Sequence, residues 1–128
     1  MIAAYFMEVE QVLQAFPNIR SSTLRKKQYN ARQGYISGSV QFDTGCRLEF
    51  MELKDTDRPA KVKYRYQYMD QRNACVFRYD NAPHHPDIAT HPYHKHNGEE
   101  VTKSCEPTLF DVLLEIAGQQ NRENLQDN

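Results

Sequence analysis

The stretch KVKYRYQYM at residues 61–69 decides the fold class, because apolar and charged side chains alternate along it. One predicted face carries Val62, Tyr64, Tyr66 and Tyr68, and the other carries Lys61, Lys63, Arg65 and Gln67. An alternation of period two is typical of a β-strand with one buried face. Aromatic side chains fit a half-buried pleat, so we expect the tyrosines to pack in a core.

The segments on both sides of this stretch have the same period. They predict strands at residues 35–42, 46–54 and 74–80, and residues 20–31 could add an edge strand. The tripeptide at residues 43–45, Asp-Thr-Gly, is a hairpin turn signal, since glycine can take a positive φ. The sequence therefore predicts a meander of four to five antiparallel strands.

Apolar residues recur at helical spacing near both ends of the chain. The N-terminal stripe predicts a helix over residues 2–16. Thr108 and Asp111 form a capping box before a second apolar stripe, and Gly118 is the expected end of that helix. The predicted fold class is α+β, with an N-terminal and a C-terminal helix packed on one face of a single antiparallel sheet.

Length and composition predict one domain over residues 1–118, followed by a flexible polar tail at residues 119–128. The chain has 128 residues, of which 39% are hydrophobic, and no apolar run long enough to span a membrane. Its three cysteines are far apart and form no CxxC pair. We therefore expect a reduced, cytoplasmic protein without a membrane partner.

Charge is unevenly distributed along the chain. Residues 18–96 contain 14 Lys and Arg against 8 Asp and Glu, whereas the remaining ends contain 2 against 9. Such a basic region suits a polyanion such as RNA, although it could also be a solvated edge of the sheet. The predicted RNA-binding residues are Arg25, Lys26, Lys27, Arg65 and, through base stacking, Tyr64.

All five histidines lie between residues 84 and 96, directly after a predicted strand. Imidazole both accepts and donates protons near neutral pH, so the cluster favours acid–base chemistry such as metal-independent RNA cleavage. His84 and His85 are the acid–base candidates, and His94 and His96 are helpers or phosphate ligands. The remaining candidates are Arg78 and Lys95, which could stabilise negative charge, and Asp80, which could orient a histidine.

The same histidines allow two other interpretations. His94 and His96 share a face if their segment is extended, and His84, His85 or His91 could complete a three-histidine metal site with an open position. The candidate set is His84, His94 and His96. The spacing matches no closed zinc motif, so the primary expectation is an enzyme without a cofactor. The third interpretation is a non-catalytic loop that docks a partner protein.

The segment RYDNAPHHPDIATHPYHKH at residues 78–96 resembles the TumE family, small prokaryotic proteins classed as toxins of type II toxin–antitoxin systems. The resemblance extends to YRYQYMD at residues 64–70, to the strand that ends in Glu52, and to SCEPTLFDVLLEI at residues 104–116. It implies a toxin whose partner is a cognate DNA-binding antitoxin. A homodimer is also compatible with the sequence. The combined prediction is a ribonuclease toxin, with a metal-dependent enzyme or an interaction module as alternatives.

Overall fold

The computed structural model describes the backbone of residues 1–126 and the side chains of residues 1–122. It contains two helices, α1 (Ile2–Ala15) and α2 (Leu109–Gln126). The strands are β1 (Ile19–Gln28), β2 (Gln33–Phe42), β3 (Arg47–Asp55), β4 (Lys63–Met69), β5 (Cys75–Asp80), β6 (His94–Asn97) and β7 (Glu100–Lys103). The strands form one antiparallel sheet in the order of the chain, which confirms the predicted α+β meander. Within the described residues, no helix is long and apolar enough to cross a membrane.

The sheet has seven strands, so the predicted number of four to five is wrong. The edge strand predicted at residues 20–31 exists as β1, and the two additional strands are β6 and β7. Each of these is only four residues long and largely polar, so neither shows an apolar alternation. They pair through a tight turn in which Gly98 has a φ of +60°, a conformation that favours glycine.

One face of the sheet, the helix face, packs against both helices. Its core includes Ile36, Leu48, Phe50 and Tyr66, with apolar side chains of α1 and α2 in the same cluster. Helix α1 lies close to β2 because Gly34 has no side chain there. A Cβ at this position would lie 2.7 Å from Phe6 Cζ and 2.8 Å from Ile2 Cγ1.

The other face, the open face, displays the alternate residues of each strand. Strand register places six of its residues in one row across β1 to β6: Arg25, Ser37, Met51, Arg65, Asp80 and His94. The neighbouring row contains Thr23, Ser39, Glu49, Gln67, Arg78 and His96. Arg78 and Asp80 therefore share the open face with two of the histidines.

Helix α2 begins as predicted but extends further. Thr108 Oγ1 accepts from the Asp111 amide at 3.1 Å, and Asp111 Oδ2 accepts from the Thr108 amide at 2.9 Å, which is the predicted capping box. The predicted end at Gly118 is wrong, because the helix continues to Gln126 and Gln120 is buried. One interior glycine costs a helix only about 1 kcal/mol, and the glutamines after it are good helix formers. The predicted tail is thus helical over residues 119–126, and residues 127–128 lie outside the described residues.

The strand predicted at 61–69 begins two residues later than its alternation indicates. Val62 is exposed and Lys61 is buried, the reverse of the predicted faces. Lys61 Nζ donates to the Pro107 carbonyl at 2.8 Å and lies 3.7 Å from the Glu106 carboxylate. These two acceptors compensate the buried ammonium group and fix the segment before α2 against the start of β4.

Candidate active site on the open face

Asp80, the last residue of β5, is the centre of a polar network on the open face. Its carboxylate is buried, with 6% of the residue exposed. Oδ1 accepts from His94 Nε2 at 2.7 Å and from the Ala82 amide at 3.0 Å. Oδ2 accepts from Arg78 Nε at 3.0 Å. Charged and backbone donors thus satisfy both oxygens, as a buried carboxylate requires.

His94 is held between two acceptors. Its Nε2 faces Asp80 Oδ1, and its Nδ1 lies 2.9 Å from the Pro92 carbonyl oxygen. A carbonyl and a carboxylate both accept hydrogen bonds, so each ring nitrogen of His94 faces an acceptor. Only 2% of His94 is exposed. The ring is therefore placed to hold Asp80 in position, while a substrate cannot reach it directly.

His96, two residues along β6, has the opposite environment. Its Nε2 lies 3.0 Å from a terminal nitrogen of Arg78, and a guanidinium can only donate. This contact is a hydrogen bond only when Nε2 is unprotonated, and the same nitrogen also lies 3.4 Å from Asp80 Oδ2. Burial and the positive charge of Arg78 lower the pKa of His96 from its ordinary value, which keeps the base form populated near neutral pH.

His85 completes the histidine cluster, which consists of His85, His94 and His96. It lies in the loop between β5 and β6, with its ring centroid 4.9 Å from that of His94 and 5.6 Å from that of His96. The rings of His94 and His96 are 4.8 Å apart. His84 and His91 are exposed and lie outside this cluster.

One ring nitrogen from each member of the cluster could serve as a metal ligand, and these atoms lie within 4.8 Å of one another. His94 and His96 of the candidate metal set lie in this group, and its third member is His85 rather than His84. His84 and His85 are adjacent in an irregular loop, so strand periodicity could not decide which of them points inward.

The structure brings together five of the seven predicted catalytic residues: Arg78, Asp80, His85, His94 and His96.

Lys95 does not belong to the site, although the sequence made it a candidate. Its Nζ lies 3.1 Å from Glu115 of α2 and sits over the ring of Tyr79 at 4.9 Å. It is on the helix face because successive residues of a strand point to opposite faces. Recognising residues 94–97 as a strand would have separated Lys95 from its two histidine neighbours.

The predicted RNA-binding residues divide between the two faces. Arg25, Lys27 and Arg65 are exposed and belong to the open face by register. Lys26 is on the helix face and forms an ion pair with Glu10 of α1. Tyr64 is 1% exposed and stacks on Tyr93, so its ring is not accessible to a base. Packing in the core is therefore the correct interpretation for Tyr64.

Two adjoining depressions on the open face contain a residue that the sequence did not single out. Their volumes are about 360 and about 380 Å³, and both are lined by Tyr35, Met51 and Arg65. The first extends to Arg25, and the second extends to Arg78 and Asp80. Tyr35 occupies an open-face position of a predicted strand, and this alternation was the signal that could have found it.

The chain matches a known protein family. The family model described as Toxin TumE matches residues 9–120, which is most of the chain and includes every residue of the site. No curated protein and no solved structure matches.

Proposed function

Since the chain belongs to the TumE toxin family, we propose that it is the toxin of a type II toxin–antitoxin system and cleaves RNA at the histidine cluster without a metal ion. Family membership supports a toxin with an antitoxin partner. We further propose that this antitoxin is a DNA-binding protein that is cognate to the toxin. The RNA-cleaving step is supported by the chemistry of the open face.

The observation that carries the proposal is the neutral His96 beside Arg78, with His85 near by. In the proposed step, His96 Nε2 takes the proton of a ribose 2′-hydroxyl while the 2′-oxygen bonds to phosphorus. The bond from phosphorus to the 5′-oxygen breaks, and protonated His85 gives its proton to that oxygen. The products are a 2′,3′-cyclic phosphate and a 5′-hydroxyl end, so the step needs no co-reactant.

Arg78 has two roles in this scheme. In the free protein its guanidinium donates to His96 Nε2 and to Asp80, which keeps a proton off the base. An incoming phosphate would attract the same guanidinium, release Nε2 and gain a cation that stabilises the phosphorane. Asp80 and His94 are positioning residues, because they hold the Arg78 side chain and are themselves buried.

A metal centre is the second candidate, favoured by the short distances within the cluster. The surrounding hydrogen bonds oppose it. Both nitrogens of His94 already face acceptors, and the Nε2 lone pair of His96 faces the Arg78 cation. A metal ion would have to break at least one of these contacts and lie close to a guanidinium.

Purified full-length protein tests the two candidates. We expect cleavage of single-stranded RNA that survives a chelator, 2′,3′-cyclic phosphate ends, and a loss of about 10²- to 10⁴-fold in His96→Ala. His84→Ala is the matched control, since His84 is an exposed histidine of the same loop outside the cluster. Activity that disappears with the chelator and returns with zinc would establish the metal centre instead. Absence of RNA cleavage by a toxic parent protein would refute both.

A further inference from the structure

We infer that a single strand of RNA lies across the strands of the open face, from the histidine cluster to β1. Arg65 and Arg25 would bind its phosphates, and Tyr35 would stack on a base. This inference rests on the proposed function, because it names the path by which the substrate reaches His96.

The register of the sheet sets the length of this path. Arg25, Ser37, Met51, Arg65, Asp80 and His94 are consecutive partners across six strands. Neighbouring strands are about 4.8 Å apart, so the row spans about 24 Å, with Arg65 about 10 Å from His94 and Arg25 a further 14 Å away. A positive groove of this length, with an aromatic platform, suits a few nucleotides of single strand.

The charges on the path are free to bind an anion. Arg25 and Arg65 are exposed, and no carboxylate within residues 1–122 forms an ion pair with either of them. Two open-face carboxylates lie near them, and both have other partners. Glu49 is paired with Arg47 at 2.9 Å and accepts from the Ser39 hydroxyl at 2.8 Å. Asp80, the strand neighbour of Arg65, accepts from Arg78 at 3.0 Å and lies 2.7 Å from His94 Nε2. The two arginines therefore have no competing carboxylate among the side chains of residues 1–122.

Tyr35 supplies the platform. It is half-buried, it follows Gly34 on β2, and its side chain lines both depressions, between Arg25 at one end and Arg78 at the other. An aromatic ring held in this way can stack on any base, so the interaction tolerates different sequences. His96 is largely buried, with 18% of its side chain exposed, so a phosphate must enter the surface to reach it. A single strand of RNA can bend so that one phosphate enters the surface, whereas the phosphates of a stiff duplex remain on its outside.

Binding to a short dye-labelled single-stranded RNA, measured by fluorescence anisotropy in the His96→Ala background, tests the path without cleavage. We expect Arg25→Ala and Arg65→Ala each to weaken binding and to lower the salt slope, log K against log salt, by about 0.7. Lys26→Ala is the matched control, because it removes a cation from the next residue of β1 on the opposite face. Tyr35→Ala should weaken binding about 5- to 100-fold, and Tyr35→Phe should restore it.

Equal losses in Arg25→Ala and Lys26→Ala would overturn the path, as would binding of a duplex RNA as tight as that of the single strand. If both arginine variants bind RNA normally, and the parent protein cleaves RNA while His96→Ala does not, the path is refuted and the proposed function stands. Binding that depends on both arginines in a protein that cleaves no RNA would refute the proposed function and leave the path standing.

Discussion

Two buried carboxylates on opposite faces of the same sheet have different kinds of partner. Glu52, on the helix face, is 1% exposed and accepts from the hydroxyls of Tyr5 and Tyr66, the latter at 2.7 Å. Asp80, on the open face, is 6% exposed and accepts from an imidazole and a guanidinium. Burial alone therefore does not separate a structural carboxylate from a functional one.

The donors make the difference. Burial, together with the charge of Glu52, raises the pKa of Tyr5 and of Tyr66, so both hydroxyls keep their protons at any physiological pH. The side-chain donors to Asp80 are an ionisable imidazole and a permanently charged guanidinium, and through Arg78 they reach His96 near the surface. A closed network of neutral donors holds the core together, while an open network of ionisable donors can exchange protons with a substrate.

The largest expected effect is on RNA cleavage, and it concerns His85, the proposed proton donor beside the open network. His85→Ala should lower RNA cleavage by about 10²- to 10⁴-fold, since it removes the proposed general acid. His84→Ala removes an exposed neighbouring histidine and should leave cleavage within a factor of about three. Initial rates on one RNA, with circular dichroism to confirm folding, measure both variants. The reverse order of the two losses would place His84 at the reacting atoms.

The next effect tests the closed network. Glu52→Ala leaves two buried tyrosine hydroxyls without their acceptor and opens a cavity, so we expect a loss of about 3–5 kcal/mol in the free energy of unfolding. Urea denaturation measures this loss. Glu52→Gln, which keeps the shape and one acceptor oxygen, should cost less. A fall in cleavage rate per folded molecule in Glu52→Gln would show that the helix face also acts in the reaction.

A smaller effect concerns the charge on His96. The pKa of its imidazole lies below the ordinary value of 6.5, because of burial first and then the positive charge of Arg78. Between the lowered pKa and 6.5 the unfolded chain binds more protons than the folded chain, so the stability contributed by His96 falls as the pH falls through this window. Arg78→Met should raise the pKa of His96, as measured by NMR titration of the ring. An unchanged pKa would show that Arg78 does not protect the base.

The smallest effect is a gain on the helix face. Gly118 is an exposed interior residue of α2, and a Cβ added there would meet nothing within 4 Å. Gly118→Ala should therefore raise the free energy of unfolding by about 0.5–1 kcal/mol, because alanine loses less backbone entropy in a helix. Thermal or urea unfolding measures the gain. A loss of stability would show that α2 does not continue through this position.

Sequence periodicity was sufficient to find both helices and the strands with an apolar face, but it did not predict where α2 ends. It failed for β6 and β7, because each is only four residues long and Val101 is the one apolar residue of the two strands, so they show no apolar alternation. The errors at the site follow from this failure. Unless residues 94–97 are recognised as a strand, nothing separates Lys95 from His94 and His96, and nothing places the two histidines beside Arg78 and Asp80.

In irregular and edge segments, the sequence alone could not show which residues belong to the site, because tertiary contacts decide this. His85 rather than His84 enters the cluster because of how the loop after β5 folds over the sheet. Lys26 was expected to bind RNA, yet it pairs with Glu10, a residue of α1 that is remote from it in sequence. The positions of both residues depend on elements whose relative placement no local pattern encodes.

The order of the strands in the sheet has a consequence for synthesis. Each strand pairs with the one before it in the chain, so most of the sheet can form from neighbours as they leave the ribosome, a topology of low contact order that favours rapid folding. The histidines of β6 are made only after five strands, and α2, which covers the core, is made last. A nascent chain would therefore hold most of the sheet before it holds the complete histidine cluster.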